Sequence, residues 1–368
     1  MGINHLYIHV PFCKAICYYC DFCHRIYDEK LADKWLDRLS RETEENCRDQ
    51  YETIYIGGGT PTSLSDKQLD RLLCMADPFT EKVIEYTIEV NPESLDQHKI
   101  GIMKKHGINR ISMGLQTADD DLLRIIGRNH SFTDVKEKVN LLKDNGVFNI
   151  SIDLMYSLPG QSMEMLQDTL NKVLELKVPH ISLYSLTIEE NSVFGKKGFS
   201  NLDEDMEADM YELIEKTLCE KGYIHYEVSN YCLEGYESKH NLGYWNYDDF
   251  LGISLGASGK IGNNRYTNTR SFEKYINENS IREEDLHLNR EEMMFENVMM
   301  SFRTIHGLNM NEFNGRYDAD FLSEYSKAIK KHRDDLIIED GQVRVRNMAL
   351  LHPLLVDFMD CALADSDK

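Results

Sequence analysis

Short β-branched or apolar runs recur through the first half of the chain, spaced widely enough to leave room for a helix between most of them. They are LYIHV (6–10), TIYI (53–56), YTIEV (86–90), RISMGL (110–115), NISIDLM (149–155) and HISLYSL (180–186). Runs this short and this rich in such residues read as strands. Between them, SDKQLDRLLCMA (65–76), SFTDVKEKVNLLKDNG (131–146) and MEMLQDTLNKVLELK (163–177) carry apolar residues at helical spacing, and His106-Gly107 and Asn145-Gly146 read as helix stops. Six strands alternating with helices predict parallel βα units, which build either an open doubly wound sheet or a barrel. Periodicity does not choose between the two, but both gather chemistry at the C-terminal ends of the strands. Those ends read PFCKAIC, GGGTPT, EVNPE, GLQT, LMYSLPG and SLTIEE.

The pattern changes after residue 200. A helix, EDMEADMYELIEKTLCEKG, precedes YIHYEVSNY and then ESKHNLGYWNYDDFLGISLGASG, whose mixture of aromatics and glycine reads as a loop feeding a strand. From residue 291, the helical segments EEMMFENVMMSFRT and NEFNGRYDADFLSEYSKAIKKH lead to LIIEDGQVRVR, where Asp340-Gly341 signals a hairpin. Helices followed by a hairpin predict a small winged-helix-like unit. The expected division is therefore residues 1–200, 201–290 and 291–368. EEMMFENVMM reads as core filling in preference to an interface, and the acidic tail ALADSDK as a frayed end.

Composition narrows the class. The 368 residues are 42% hydrophobic and 28% charged, as in a water-soluble globular protein, with no apolar run near the ~18 residues of a membrane span. MGINHLYIHVPF lacks a basic segment followed by an apolar one, so no signal peptide is expected and the cytosol is the expected compartment. A formal charge of -22 without a basic stripe argues against a nucleic-acid partner. In a reducing compartment the nine cysteines are not a disulfide framework, and Cys47, Cys74, Cys219, Cys232 and Cys361 stand singly.

The other four cysteines fall within PFCKAICYYCDFCH, residues 11–24. Cys13, Cys17 and Cys20 are spaced C-x3-C-x2-C on the loop after the first strand. Thiolates suit both iron-sulfur clusters and zinc. Zinc would take a fourth ligand, for which Cys23 or His24 is at hand. Three cysteines on a cluster of four irons instead leave one iron open to a non-protein ligand.

This spacing, with an aromatic before the last cysteine, resembles the signature of radical S-adenosylmethionine enzymes. YIHVPFCKAICYYCDF, IYIGGGTPTSL, TIEVNPESL, GINRISMGLQT, IGRNHS, ISIDLMYSLPGQ and YSLTIE then resemble, in order, the motifs of the oxygen-independent coproporphyrinogen III oxidase family. The resemblance implies an α/β fold, an incomplete (β/α)6 TIM-like barrel, with a 4Fe-4S cluster on Cys13, Cys17 and Cys20 and S-adenosylmethionine beside it. It implies that Gly57, Gly58, Gly59 and Thr60 admit the methionine end and that Glu89 engages polar groups of the cofactor. Gln116 and Arg128 would lie near its ribose and carboxylate, Asp153 would take a ribose hydroxyl, and Tyr7 and Met155 would pack near the adenine. Taken singly, Glu89 and Asp153 would read as ordinary strand-end acids, and Arg128 as a helix-face salt bridge.

Two branches of that family differ here. The oxidase branch carries a further cysteine two positions after the third, where this chain has Phe22, and an N-terminal extension that this chain, with its motif beginning at Tyr7, lacks. HNLGYW (240–245) resembles the H-N-x-x-Y-W motif of a heme-chaperone branch, flanked by YEVSNY and GASGKIGNNRYTN. On that resemblance His240 is a candidate axial ligand to heme iron, with Asn241, Tyr244 and Trp245 beside the porphyrin. The alternative is that His240 and Asn241 tie down a loop while Tyr244 and Trp245 are core. Cys23, ISLGASG, MMSFRTIHGLN and MALLHPLLVDFMD depart from the branch pattern. The implied function is binding heme as cargo and passing it to apo-hemoproteins, with an electron donor as partner and with peripheral membrane contact and a homodimer both open. The alternative is a catalyst acting on a porphyrin, either the oxidase or a heme-modifying enzyme.

Overall fold

In a computed structural model, which describes residues 2–48 and 50–363, the six predicted strands form. They are β1 (His5–Val10), β2 (Thr53–Gly58), β3 (Glu85–Val90), β4 (Arg110–Gln116), β5 (Ile150–Tyr156) and β6 (His180–Ser185), each parallel to the next. Helices Glu29–Asn46, Asp66–Ala76, Gln97–Lys105, Phe132–Asp144 and Met163–Glu175 lie in the connections between them. Their starts and stops are written locally. Ser65 and Ser131 close capping boxes with Gln68 and Asp134, and Gly107 and Gly146 adopt φ of +81° and +79° just past two helix ends.

The six strands do not close into a barrel. Their sheet is extended at both edges by the residues that follow: β7 (Ile224–Glu227) and β8 (Asn230–Cys232) beyond β6, and β9 (Phe250–Ile253), β10 (Ser258–Ile261), β11 (Asn264–Asn268) and β12 (Arg282–His287) beyond β1. The resulting order is β12-β11-β10-β9-β1-β2-β3-β4-β5-β6-β8-β7. β9 runs parallel to β1 and β8 antiparallel to β6, so both open edges of the six-stranded core are paired. The outermost strand, β12, reads REEDLH and is exposed at every residue, a charged edge that resists further pairing.

Alternation along the strands separates two environments. Leu6, Ile8 and Val10 of β1, Ile54 and Ile56 of β2, and Ile150, Ile152 and Leu154 of β5 belong to one apolar core shared with the helices. The intervening positions are His5, Tyr7 and His9 on β1, Thr53 and Tyr55 on β2, Glu85, Thr87 and Glu89 on β3, Ser151 and Asp153 on β5, and His180, Ser182 and Tyr184 on β6. A barrel interior filled by branched apolar side chains is a packed core. This one is polar, and a polar interior has to hydrogen-bond with itself or with a ligand.

The predicted C-terminal unit forms a second apolar cluster, around Phe302, Phe313, Phe321 and Phe358. Its helices include Arg290–Ser301, Met310–Tyr317 and Leu351–Leu363, and its sheet pairs Leu308–Asn309 with the hairpin Leu336–Glu339 and Gln342–Val345. Asp340 and Gly341 turn that hairpin with φ of +50° and +80°. Met294 is buried and Met293 and Met299 pack against this cluster, so these methionines of EEMMFENVMM serve the core. The last five residues of the acidic tail lie outside the described part.

The unit docks on the sheet at Glu227, which bridges Thr304, while Val228 donates to the Arg303 carbonyl at 3.0 Å. Glu227 is fully buried, and burial pushes its carboxyl up from 4.5 to about 7 against the Ser229 N–H bond that favours the anion. The folded state therefore holds a proton that the unfolded chain releases between these two values, so stability should fall as pH rises from about 4.5 to about 7. The loss is at most about 3 kcal/mol. Urea melts at pH 5 and pH 8 should show this slope reduced in Glu227→Gln, and an unchanged slope would remove Glu227 as its source.

Candidate functional site

A cavity of about 470 Å³ opens at the C-terminal ends of the strands and runs down into the polar interior. Cys13, Cys17, Cys20, Gly58, Gly59, Thr60, Glu89, Gln116, Arg128, Asp153 and Met155 all line it, as does Asn241. The residues other than Asn241 lie on six separate segments of the sequence, which parallel packing brings to one mouth; Asn241 reaches the cavity from the helix Lys239–Trp245. Tyr7 and Gly57 stand just behind the lining.

The three thiols sit on the loop between β1 and the helix Glu29–Asn46. Thr60 faces Cys13 Sγ at 3.8 Å, and the Cys20 N–H donates to the Cys17 carbonyl at 3.2 Å. Burial pushes the Cys13 thiol up to about 12 and the Cys20 thiol to about 11. Among the described residues, no three ligand atoms of Cys13, Cys17, Cys20, Cys23 and His24 lie within 4.8 Å of one another. A tetrahedral zinc with Zn–S near 2.3 Å needs sulfurs only about 3.8 Å apart. Three thiols on one cavity wall suit a cluster of four irons that leaves one iron open to a ligand in the cavity. Cys23 points elsewhere: its Sγ lies 3.5 Å from the Arg270 carbonyl, and its backbone carbonyl accepts from His9 Nε2 at 2.7 Å.

The glycines after β2 make room for the protein's own groups. A Cβ on Gly57 would stand 2.6 Å from Glu89 Oε1, one on Gly58, whose φ is +113°, 2.6 Å from the His9 ring, and one on Gly59 2.6 Å from the Phe12 carbonyl oxygen. Glu89 thereby accepts from the Tyr55 hydroxyl at 2.9 Å and from the Gly58 N–H at 3.1 Å. Burial raises its carboxyl to about 7, with the Asp153 charge adding to the effect. Asp153 accepts from Ser112 at 2.8 Å and is likewise raised by burial. Arg128 donates to Asn91 at 3.2 Å and to the Gly114 carbonyl at 3.4 Å. Gln116 ends β4 at φ +75° behind a register shift, a conformation that costs a non-glycine residue about 1–3 kcal/mol. Sequence reasoning missed Ser112, Ser182, Tyr184 and Asn91, which share the cavity. Their signal was available in the polar residue at every second strand position.

HNLGYW is not the expected loop. Lys239–Trp245 is a helix that closes the floor of the barrel, at the N-terminal ends of the strands. Glu85, the first residue of β3, accepts from the backbone N–H groups of Lys239 and His240 at 3.0 and 2.9 Å, and bare Gly243 lies against the His5 ring. Both ring nitrogens of His240 are engaged, Nδ1 with the Thr53 hydroxyl at 2.6 Å and Nε2 with the Tyr244 hydroxyl at 2.8 Å. The ring is 1% exposed and burial holds it neutral. Tyr244 packs edge-on against Phe250, and Arg303 lies over Trp245. His240 thus ties the helix down, and Asn241 is the motif residue that meets the cavity.

Comparison with known proteins identifies the family of the chain as a whole. Residues 7–173 match the family model described as the Radical SAM superfamily, and residues 288–346 that of the HemN C-terminal domain. The heme chaperone HemW of Lactococcus lactis is 39% identical over 352 residues, covering 93% of this chain and 92% of its own. HemW of Bacillus subtilis is 35% identical, covering 92% and 93%. Among solved structures, coproporphyrinogen III oxidase (HemN) from Escherichia coli superposes with a TM-score of 0.84 at 20% identity, covering 97% of this chain and 90% of its own, which shows a shared fold. No helix among the described residues is long and apolar enough to cross a membrane. With the three-thiol mouth, the incomplete barrel and the appended unit all in place, the chain belongs to the radical SAM superfamily and, within it, to the HemW family of coproporphyrinogen oxidase-like proteins.

Proposed function

We propose that this protein is a heme chaperone that carries a 4Fe-4S cluster and an S-adenosylmethionine site, binds heme and passes it to apo-hemoproteins. The observation that carries the reading is the end-to-end similarity to the HemW of Lactococcus lactis, at 39% identity. Phe22, standing where the oxidase branch has its further cysteine, supports it from the residues.

The donor set fits the cofactors. Cys13, Cys17 and Cys20 would hold the cluster as thiolates, with Cys23 kept off it by its contact with Arg270. When bound, the cluster and S-adenosylmethionine together supply one-electron chemistry, for which an electron donor is the partner. The chain's own part is to bind and orient. Asn91 donates to the Thr60 hydroxyl at 2.9 Å and accepts from Arg128 at 3.2 Å, which would hold Thr60 toward the methionine end and Arg128 toward the carboxylate of S-adenosylmethionine. Glu89 and Asp153 would present their carboxyl groups to amino and hydroxyl groups, and Gln116 and Met155 complete the walls, with Tyr7 behind them. The proposal includes peripheral membrane contact where heme is delivered, and, separately, a homodimer.

The test is anaerobic incubation of reconstituted, reduced protein with S-adenosylmethionine and either coproporphyrinogen III or heme. The expected result is stable heme binding, transfer to an apo-hemoprotein and no altered tetrapyrrole. Turnover to protoporphyrinogen IX, or to a modified heme, would replace this reading with that of an enzyme.

A further inference from the structure

Histidine is a common protein ligand to heme iron, and it can serve only if one ring nitrogen presents a free lone pair. His240 lacks one, since Thr53 and Tyr244 take both nitrogens. Two histidines line the cavity, His24 and His180. His180 is spent in the same way, on Ser151 at 2.7 Å and Tyr226 at 2.9 Å.

His24 is different. Its Nδ1 donates to the Phe22 carbonyl at 2.7 Å, and among the described residues its Nε2 has no partner. A backbone carbonyl on one ring nitrogen fixes the tautomer and leaves the lone pair on the other, which is how metal-binding histidines are commonly held. The residues around it suit a flat apolar macrocycle with anionic edges. Phe22 lines the same mouth and is 65% exposed, with Ile16 and Ile26 exposed on the same loop. Arg270 donates to the Asp21 carbonyl of this loop and, among the described residues, has no carboxylate within ion-pair distance. A guanidinium without a carboxylate partner is a natural match for a propionate.

We propose that His24, through Nε2, is the protein ligand to heme iron, with the Phe22 ring against the porphyrin face and Arg270 at a propionate. The inference rests on the heme-chaperone reading and assigns its cargo to the rim of the cluster loop, away from the HNLGYW helix. His24 Nδ1 also lies 3.6 Å from Cys20 Sγ, so the cluster and the heme would flank one imidazole.

The test is hemin titration of the full chain under anaerobic conditions, followed by absorption and electron paramagnetic resonance spectra, with cluster iron and melting temperature recorded for each variant. His24→Ala should lose at least about tenfold in hemin affinity and shift the Soret band, and added imidazole should restore the wild-type spectrum. Phe22→Ala should weaken binding while keeping the wild-type band position. His240→Ala should keep that band position even where the protein is less stable. A His24→Ala protein with wild-type affinity and spectrum, or loss of the histidine signature only in His240→Ala, would overturn the assignment while leaving the chaperone reading intact. Failure of the wild-type chain to take up hemin at all would overturn both.

Discussion

Serine at Cys17 is expected to reduce cluster iron from roughly four atoms per chain to near zero after anaerobic reconstitution, and serine at Cys13 or Cys20 to do the same. Serine at Cys23 is expected to leave the iron content unchanged. The contrast follows from where the side chains point. Cys13, Cys17 and Cys20 share the cavity wall, whereas Cys23 Sγ lies against the Arg270 carbonyl and its Cβ fills the space left by Gly256, whose φ is +73°. Three protein ligands leave one iron open, and a fourth from Cys23 would close it. Iron analysis with the visible absorption of the reconstituted protein reads the outcome, and equal loss in Cys23→Ser and Cys20→Ser would overturn the assignment.

Gly59→Ala should be the most damaging of the small substitutions at the mouth. The added methyl would meet the Phe12 carbonyl oxygen at 2.6 Å and Cys13 Sγ at 3.0 Å. The first obstacle is backbone, anchored by the Gly59 and Thr60 N–H groups donating to the Val10 and Phe12 carbonyls at 2.7 Å. Since that segment cannot swing aside like a flexible side chain, the strand end and the cluster loop must part. A loss of about 1–3 kcal/mol in stability is expected, together with lowered cluster occupancy. Gly101→Ala is the matched control with the opposite sign. It lies within the helix Gln97–Lys105, nothing stands within 4 Å of its added methyl, and a gain of about 0.5–1 kcal/mol is expected. Urea melts of the two proteins decide the point, and a Gly59→Ala protein as stable and as iron-rich as wild type would show the loop to be more yielding than its hydrogen bonds imply.

Much of the site was legible because its residues sit at strand ends, where position in the sequence dictates position in space. Once β1 to β6 are parallel neighbours, Cys13, Gly59, Glu89, Gln116 and Asp153 must meet at one mouth, whatever the details of the helices between them. The glycines were legible as close-approach positions, but what approaches them was not. Gly57 and Gly58 accommodate Glu89 and His9, side chains from two different strands, and such pairings depend on register.

The motif HNLGYW illustrates the limit most clearly. Its residue types suit a heme site, and only three dimensions show His240 bound at both nitrogens to Thr53 and Tyr244 beneath the barrel. The Asn241 N–H donates to the Ser238 hydroxyl and so caps the helix locally, yet the carboxylate that anchors its first turn comes from Glu85, 155 residues away from His240. Local sequence carries no record of such a partner.

By itself, the sequence determined the period of strands and helices, the capping residues, the hairpin at Asp340-Gly341 and the three-cysteine spacing. Each of these depends on residues a few positions apart and on backbone preferences that act before any tertiary contact forms. Tertiary structure alone decided that the segment after residue 200 pairs both edges of the core sheet, that Cys23 turns away from the thiol triad, and that His24 holds a free nitrogen at the mouth. Those outcomes rest on which distant groups satisfy each buried hydrogen-bonding atom, a requirement that is met only when the whole chain has packed.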